Sequence, residues 1–299
     1  MKFASCSPLS PIFADYQAWL SVQPLSPHTR RTYLTQVRQY CLYLSETVDE
    51  YRDSLQDEYA RDYAVRDYKT YLKTVGKRKP TTVNIALAAI DNFYRFLRMS
   101  PARVKREDLP QQAPRALTKA EQIHFLRAVE RCPSVRDKAV ALLLFYTGLR
   151  VSECAALNQS DVLISARKGT VVVRQGKRAS YREVPLNAQV RQALDSWRVE
   201  RLARFPTGNE EAVFLNRCGQ RLSIRSIDLL LRKLGQEADI RISAHILRHT
   251  CLTNLVRHGT DLVLVASIAG HRRLETTRRY SLPTEQDRRE AMERIQVEY

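Results

Sequence analysis

No C-x-x-C pair occurs among the six cysteines, which stand at 6, 41, 132, 154, 218 and 251. The chain therefore signals neither a zinc ribbon nor a dithiol redox motif. Several of these cysteines lie inside apolar runs, where a thiol packs as a small hydrophobe, and a reducing cytoplasm suits them. Long apolar runs are also missing. The strongest, Ala139 to Tyr146, is far below the ~20 residues that a membrane span needs. Met1 to Leu20 has one early Lys and no clean apolar core, because Pro8 and Pro11 interrupt it, so no secretory signal is expected. No internal repeat or low-complexity tract is present. These absences, with 44% hydrophobic and 27% charged residues, exclude a mostly disordered chain, a collagen-like fibre and a disulfide-dense miniprotein. Acid is the scarce charge. Against 49 Lys+Arg there are only 32 Asp+Glu, a formal charge of +17. Such an excess favours a polyanionic partner: nucleic acid first, an anionic membrane surface second.

With 299 residues, two domains are expected. Ser26-Pro27 opens a helix, with Ser as N-cap and Pro at the first helical position. Tyr33, Val37, Tyr40 and Leu44 then mark one apolar face. Residues 50–73 mix acids, bases and tyrosines in a pattern that predicts another helix. Lys77-Arg78-Lys79-Pro80 reads as a basic turn, and these three cations are candidate DNA contacts. Val83, Leu87, Ile90, Tyr94 and Leu97 mark a further helix. Residues 1–100 thus read as a helical bundle. Residues 101–116, with Arg103, Lys105, Arg106, Pro110 and Pro114, have a linker composition. The remainder, 117–299, is mainly helical with a small antiparallel sheet. Val171–Val173 and Tyr181–Val184 flank a basic tip that holds Gly176, Lys177 and Arg178, the pattern of a hairpin. Val162–Ile164 is a candidate third strand. Thr284 with Asp287 forms a capping box for a last helix to about Gln296. Both halves are basic: 14 bases and 10 acids in 1–100, and 35 and 22 in 101–299.

Four segments after the linker hold candidate chemistry: Tyr146–Glu153, Lys177 on the hairpin, His245–Thr250, and Gly270-His271 with Thr276, Thr277 and Tyr280. His245 and His249 are four apart and share a helix face. A zinc protease would place Glu after the first His, but Ile246 stands there and Arg248 adds an opposing cation, so no metal site is expected. Two Arg, two His, a Lys and a Tyr suit a different chemistry. Arginine forks match phosphate oxygens and keep their charge. Fixed cations that meet the charge of a phosphodiester under attack favour the transition state over the ground state. A tyrosine hydroxyl can attack phosphorus, and Lys or His can protonate the departing alkoxide. The set suits phosphoryl transfer through a phosphotyrosine, with no cofactor. Residue types alone do not select it from 49 Lys+Arg and 14 Tyr.

The selection comes from a resemblance. Thr147-Gly148-Leu149-Arg150-Val151-Ser152-Glu153 resembles the first-arginine box of the tyrosine recombinases, the phage-integrase family. His245-Ile246-Leu247-Arg248-His249-Thr250 resembles its H-x-x-R box, and Gly270-His271 followed by Tyr280 its nucleophile box. Any one box is weak; these three with the Lys177 hairpin, four in order, are a strong signal. The similarity is close over 117–282 and looser over 1–100, which resembles the family's SAM-like core-binding domain. The resemblance implies a two-domain, C-shaped DNA clamp of the simple Xer-like form. It implies that Tyr280 attacks the scissile phosphate, that Arg150 and Arg248 hold its nonbridging oxygens, and that Lys177 protonates the leaving 5′ oxygen. His245 would assist proton movement, His271 would hydrogen-bond the phosphate, and Glu153 would orient Arg150. His249 matches a structural position of the family. Arg178 stands where the family often has glycine, and is a further candidate DNA contact; Lys168 is a rival for the acid. Cys251, Leu252 and Ala269 also depart from the usual pattern, at packing positions. The implied function is site-specific recombination on double-stranded DNA by a tetramer on two sites, in the cytoplasm at the nucleoid, with neither metal nor ATP. Residues 284–299 would dock on a neighbouring subunit. A second recombinase or accessory protein, a type IB topoisomerase activity and an inactive DNA-binding regulator stay open at this stage.

Overall fold

The computed structural model describes residues 10–47, 51, 53–109, 113–175, 180–206, 210–271, 273–282, 288, 289, 292 and 293. The chain divides into two compact units, Met1–Pro110 and Gln111–Tyr299.

The first unit has four helices: α1 (Ser10–Val22), α2 (Pro27–Glu46), α3 (Glu58–Thr74) and α4 (Pro80–Phe96). Ser26 caps α2 by accepting from the Thr29 amide at 3.1 Å. Helix α1 runs straight through Pro11, because proline in the first turn removes only an amide that would have no helical partner. The predicted 50–73 helix begins only at Glu58. Asp57 caps it, and residues 53–57 form a turn in which the Asp53 carbonyl accepts from Gln56 and Asp57. The core is aromatic: Tyr16, Tyr40, Tyr68, Phe93 and Tyr94 are all buried. The hydroxyls of Tyr40 and Tyr94 pair at 2.8 Å, so neither is left unbonded. Fully buried Arg61 binds Asp62 and reaches the Ser100 carbonyl at 2.7 Å. Residues 101–109 lack regular structure yet lie against this unit. Ala102 and Val104 pack on its core, Arg106 pairs with Asp91, and Glu107 pairs with Lys69 and Lys73. Lys77, at φ 45°, Arg78 and Lys79 form an exposed turn before α4.

The second unit is built on α6 (Val135–Thr147), whose Ala139, Val140, Ala141, Leu143 and Leu144 are all buried. An apolar surface that wraps the helix marks a central element, and full burial of each such leucine contributes roughly 1.5–3 kcal/mol. Around it pack α5 (Lys119–Arg131), α8 (Ala188–Arg204), α9 (Ile224–Glu237) and α10 (Ala244–Arg257). Short α7 (Val151–Ala156) follows α6, while α11 (Leu262–Ala269) and α12 (Leu274–Arg278) follow α10. The sheet is antiparallel, ordered β1 (Val162–Ile164), β2 (Gly169–Gln175), β3 (Ser180–Pro185), with Val171 opposite both Val162 and Val184. The hairpin tip with Lys177 and Arg178 lies outside the described residues, as does most of the predicted final helix. Among the described residues, no helix is long and apolar enough to cross a membrane.

Candidate active site

Two helix ends define the site. Helix α6 closes on Gly148 and α11 on Gly270, both left-handed, at φ 62° and 64°. Such a residue ends a helix sharply and leaves its last carbonyls pointing outward. Arg248, on the buried face of α10, takes up those carbonyls. Its Nη1 donates to the Gly148 carbonyl, and its Nη2 to the Ala269 carbonyl at 2.7 Å and to His271 Nε2 at 3.0 Å. None of these partners is a carboxylate. The partial negative charge of two helix C-termini offsets part of the desolvation cost and leaves a net cation. Burial and the neighbouring Arg150 cation pull Arg248 down to about 10, so it stays charged at neutral pH.

Arg150 stands just before α7. Glu153 reaches back to its backbone amide at 2.8 Å and to its Nη1 at 2.7 Å, so one carboxylate fixes both the main chain and the fork of this arginine. Arg150 Nη2 also donates to the Gly270 carbonyl at 3.3 Å. The same carboxylate takes two bonds from Arg182 of β3, at 3.0 and 2.7 Å, and Arg182 Nε donates to the Ile268 carbonyl at 2.8 Å. Burial works to raise the Glu153 carboxyl, but the two arginines outweigh it and hold it below the usual carboxylate range. Arg182 thus joins the hairpin, α7 and the end of α11. It was not among the sequence candidates, yet a signal existed. Arg182 and buried Val184 alternate with exposed Tyr181 and Glu183, so a charge occupies the inward face of the strand.

His271 follows Gly270. Arginine can only donate, so His271 Nε2 accepts from Arg248, and Nδ1–H therefore donates to Thr277 Oγ1 at 2.8 Å. Burial and the surrounding arginines push this imidazole down to about 4, so it is neutral at pH 7. Tyr280 lies two residues beyond α12, 7% exposed, its ring parallel to that of His271 at 6.1 Å. Its hydroxyl meets His249 Nδ1 at 2.9 Å. Burial raises the phenol above its ordinary range, against the pull of Arg248, Arg279 and Arg150. His245 is exposed, its ring 4.0 Å from that of His249, and is lowered chiefly by burial. His249 is lowered to about 4 by burial, His245 and nearby arginines.

The structure therefore gathers Arg150, Glu153, His245, Arg248, His271 and Tyr280 in one place. It adds Arg182, Thr277 and His249, which the sequence reading left outside the chemistry. Lys177 and Arg178 lie outside the described residues. Lys168 lines a separate hollow with Val162, Thr170 and Arg198. Among the described residues, no group of three or more His, Cys, Asp or Glu converges as metal ligands would.

Both units of the chain are similar to known proteins. Residues 115–287 match the phage integrase family, and residues 13–100 match the phage integrase N-terminal SAM-like domain. "Tyrosine recombinase XerC" of Myxococcus xanthus is 33% identical over 292 residues, covering 92% of this chain and 94% of that one. "Tyrosine recombinase XerA" of Thermococcus kodakarensis is 28% identical, covering 96% and 95%. Among solved structures, XerH site-specific recombinase bound to its difH substrate superposes with a TM-score of 0.69 at 19% identity, covering 94% of each chain. A lambda integrase dimer bound to a core site gives 0.66 at 14% identity, covering 97% of this chain and 98% of that one. These two likenesses establish the fold.

Proposed function

The chain belongs to the phage integrase family, and from that premise we propose that it is a tyrosine-type site-specific DNA recombinase, which cuts and rejoins strands of double-stranded DNA. The observation that carries the reading is the buried Tyr280 hydroxyl beside Arg248, whose hydrogen-bond partners among the described residues are two carbonyls and an imidazole rather than a carboxylate. Arg248 and Arg150 present forks to two nonbridging oxygens of one phosphate. Tyr280 Oη attacks the phosphorus, the P–O5′ bond breaks, and the 3′ end is held as a phosphotyrosine. Lys177 delivers a proton to O5′. In the second step the 5′ hydroxyl of a partner strand attacks the phosphotyrosine and frees the tyrosine. Bond energy is kept through both steps, so no nucleotide is consumed. Glu153 and Arg182 keep Arg150 aimed. In this reading His271, bonded to Arg248 and Thr277 in the free protein, hydrogen-bonds the phosphate once DNA is bound.

Lys77, Arg78, Lys79 and Arg178 contact the DNA backbone in this reading, and the protein acts at the nucleoid as a tetramer on two sites, joined by residues 284–299. A two-part experiment tests it. Protein-linked DNA ends are first mapped in cells of the source organism, which gives the site. Two copies of that site are then placed on one plasmid. Wild type should exchange the intervening segment, and Tyr280→Phe should not. Relaxation of supercoils without exchange would favour a type IB topoisomerase, and DNA binding unchanged by Tyr280→Phe, with no linked ends, an inactive regulator.

A further inference from the structure

Something must take the proton of the Tyr280 hydroxyl. Sequence reasoning points to His245 for proton movement, but the geometry points elsewhere. His245 is exposed, and its ring meets the His249 ring edge rather than the tyrosine. The His271 ring is parallel to the Tyr280 ring at 6.1 Å, and both its nitrogens are engaged, by Arg248 and by Thr277. Arg248 and Arg279 also lie near the phenol, but guanidinium groups only donate. Among the described residues, the remaining group is His249. Its Nδ1 lies 2.9 Å from Tyr280 Oη, within the reach a general base requires, and both residues are more than nine-tenths buried.

Resting on the recombinase reading, we infer that His249 is a catalytic residue: its Nδ1 accepts the proton of the Tyr280 hydroxyl as that oxygen attacks the phosphorus. The steps balance. The O–H proton passes to Nδ1, the Oη–P bond forms, P–O5′ breaks, and Lys177 gives its proton to O5′. On religation the incoming O5′–H returns its proton to Lys177, Oη–P breaks, and Oη takes its proton back from His249. The imidazole must begin neutral, with its other proton on Nε2. The groups that face it enforce this: Arg248 and His245 on its own helix, Arg279 and Tyr280 beyond α12, and His271 after α11. Burial and these cations hold it at about 4. A bound phosphate adds opposite charge to the same site and so raises the proton affinity of the imidazole when the proton arrives. Arg248 and His249 are neighbours on α10, so one helix carries both a phosphate fork and the base.

The test is single-turnover cleavage of a nicked suicide duplex that carries the mapped site. His249→Phe should slow covalent adduct formation about 100-fold or more, with DNA affinity unchanged. His249→Asn, whose side chain can accept a hydrogen bond but not a proton, should be similarly slow; it also serves if the Phe variant does not fold. A fluorinated tyrosine at 280, whose phenol ionises near neutral pH, needs no base. It should restore most of the rate lost in both His249 variants and little of that lost in His245→Phe. Wild type should lose rate as acid protonates the imidazole, and the variants should lose that limb. Wild-type speed in His249→Asn, or rescue by fluorotyrosine in His245→Phe but not in the His249 variants, would overturn the assignment alone. No adduct from wild type would instead defeat the recombinase reading, and the role with it.

Discussion

Arg248 enters the core to meet carbonyls and an imidazole, so its charge stays available to a phosphate. A lysine there would keep the charge and lose the fork. Arg248→Lys should therefore cut the cleavage rate about 10²–10³-fold, the size of loss seen when one transition-state donor is removed, with DNA affinity little changed in a gel-shift titration. The two buried imidazoles make a second prediction. His249 and His271 are held at about 4, below the ordinary histidine value of 6.5. Between those values the unfolded chain binds protons that the folded chain refuses, so stability present above 6.5 is lost as pH falls towards 4. Thermal unfolding should show the melting temperature dropping over that window, and dropping less in His249→Asn. At this scale the sequence was legible only where a motif named the residue. Arg150, Arg248 and Tyr280 stand in recognisable boxes. His249 sits inside one, but its role depends on a contact across 31 positions. Arg182 depends on contacts across 29 and 86 positions, which strand alternation hints at but cannot locate.

The helix ends are where elements become chemistry. Gly148 and Gly270 end α6 and α11 so that their carbonyls point at the arginines. A Cβ at Gly270 would fall 2.8 Å from Arg182 Nη1, and its φ of 64° is strained for any L side chain. Gly270→Ala should cost about 1–2 kcal/mol in backbone strain and also disturb Arg182, so denaturant unfolding and cleavage should both suffer. Local signals predicted the elements well where caps and periodicity agree. Ser26-Pro27 opens α2 as read, and Val83, Leu87, Ile90 and Tyr94 form the buried face of α4. The hairpin register follows its β-branched run. The signals misled where punctuation was ambiguous. The charged stretch just before Asp57, read as the start of the 50–73 helix, is a turn over 53–57 rather than helix.

For the whole molecule, the charge of +17 is shared by both halves, so either can meet the phosphate backbone. Binding should weaken about 10³-fold or more between 50 and 200 mM salt if six or more phosphates are neutralised, a slope that fluorescence anisotropy measures directly. Composition alone pointed to a polyanion. It read residues 101–109 as part of a linker, whereas they are bonded to the first unit through Asp62, Asp91, Lys69 and Lys73, contacts that distant positions supply. The measurement that tests the central claim most directly is tandem mass spectrometry of the trapped adduct. Protein and suicide duplex are mixed, quenched in SDS, and digested with nuclease and protease. The account predicts one modified peptide, with a nucleotide phosphate ester on Tyr280. A phosphate ester on any other residue, or intact cleavage with Tyr280 unmodified, would contradict it.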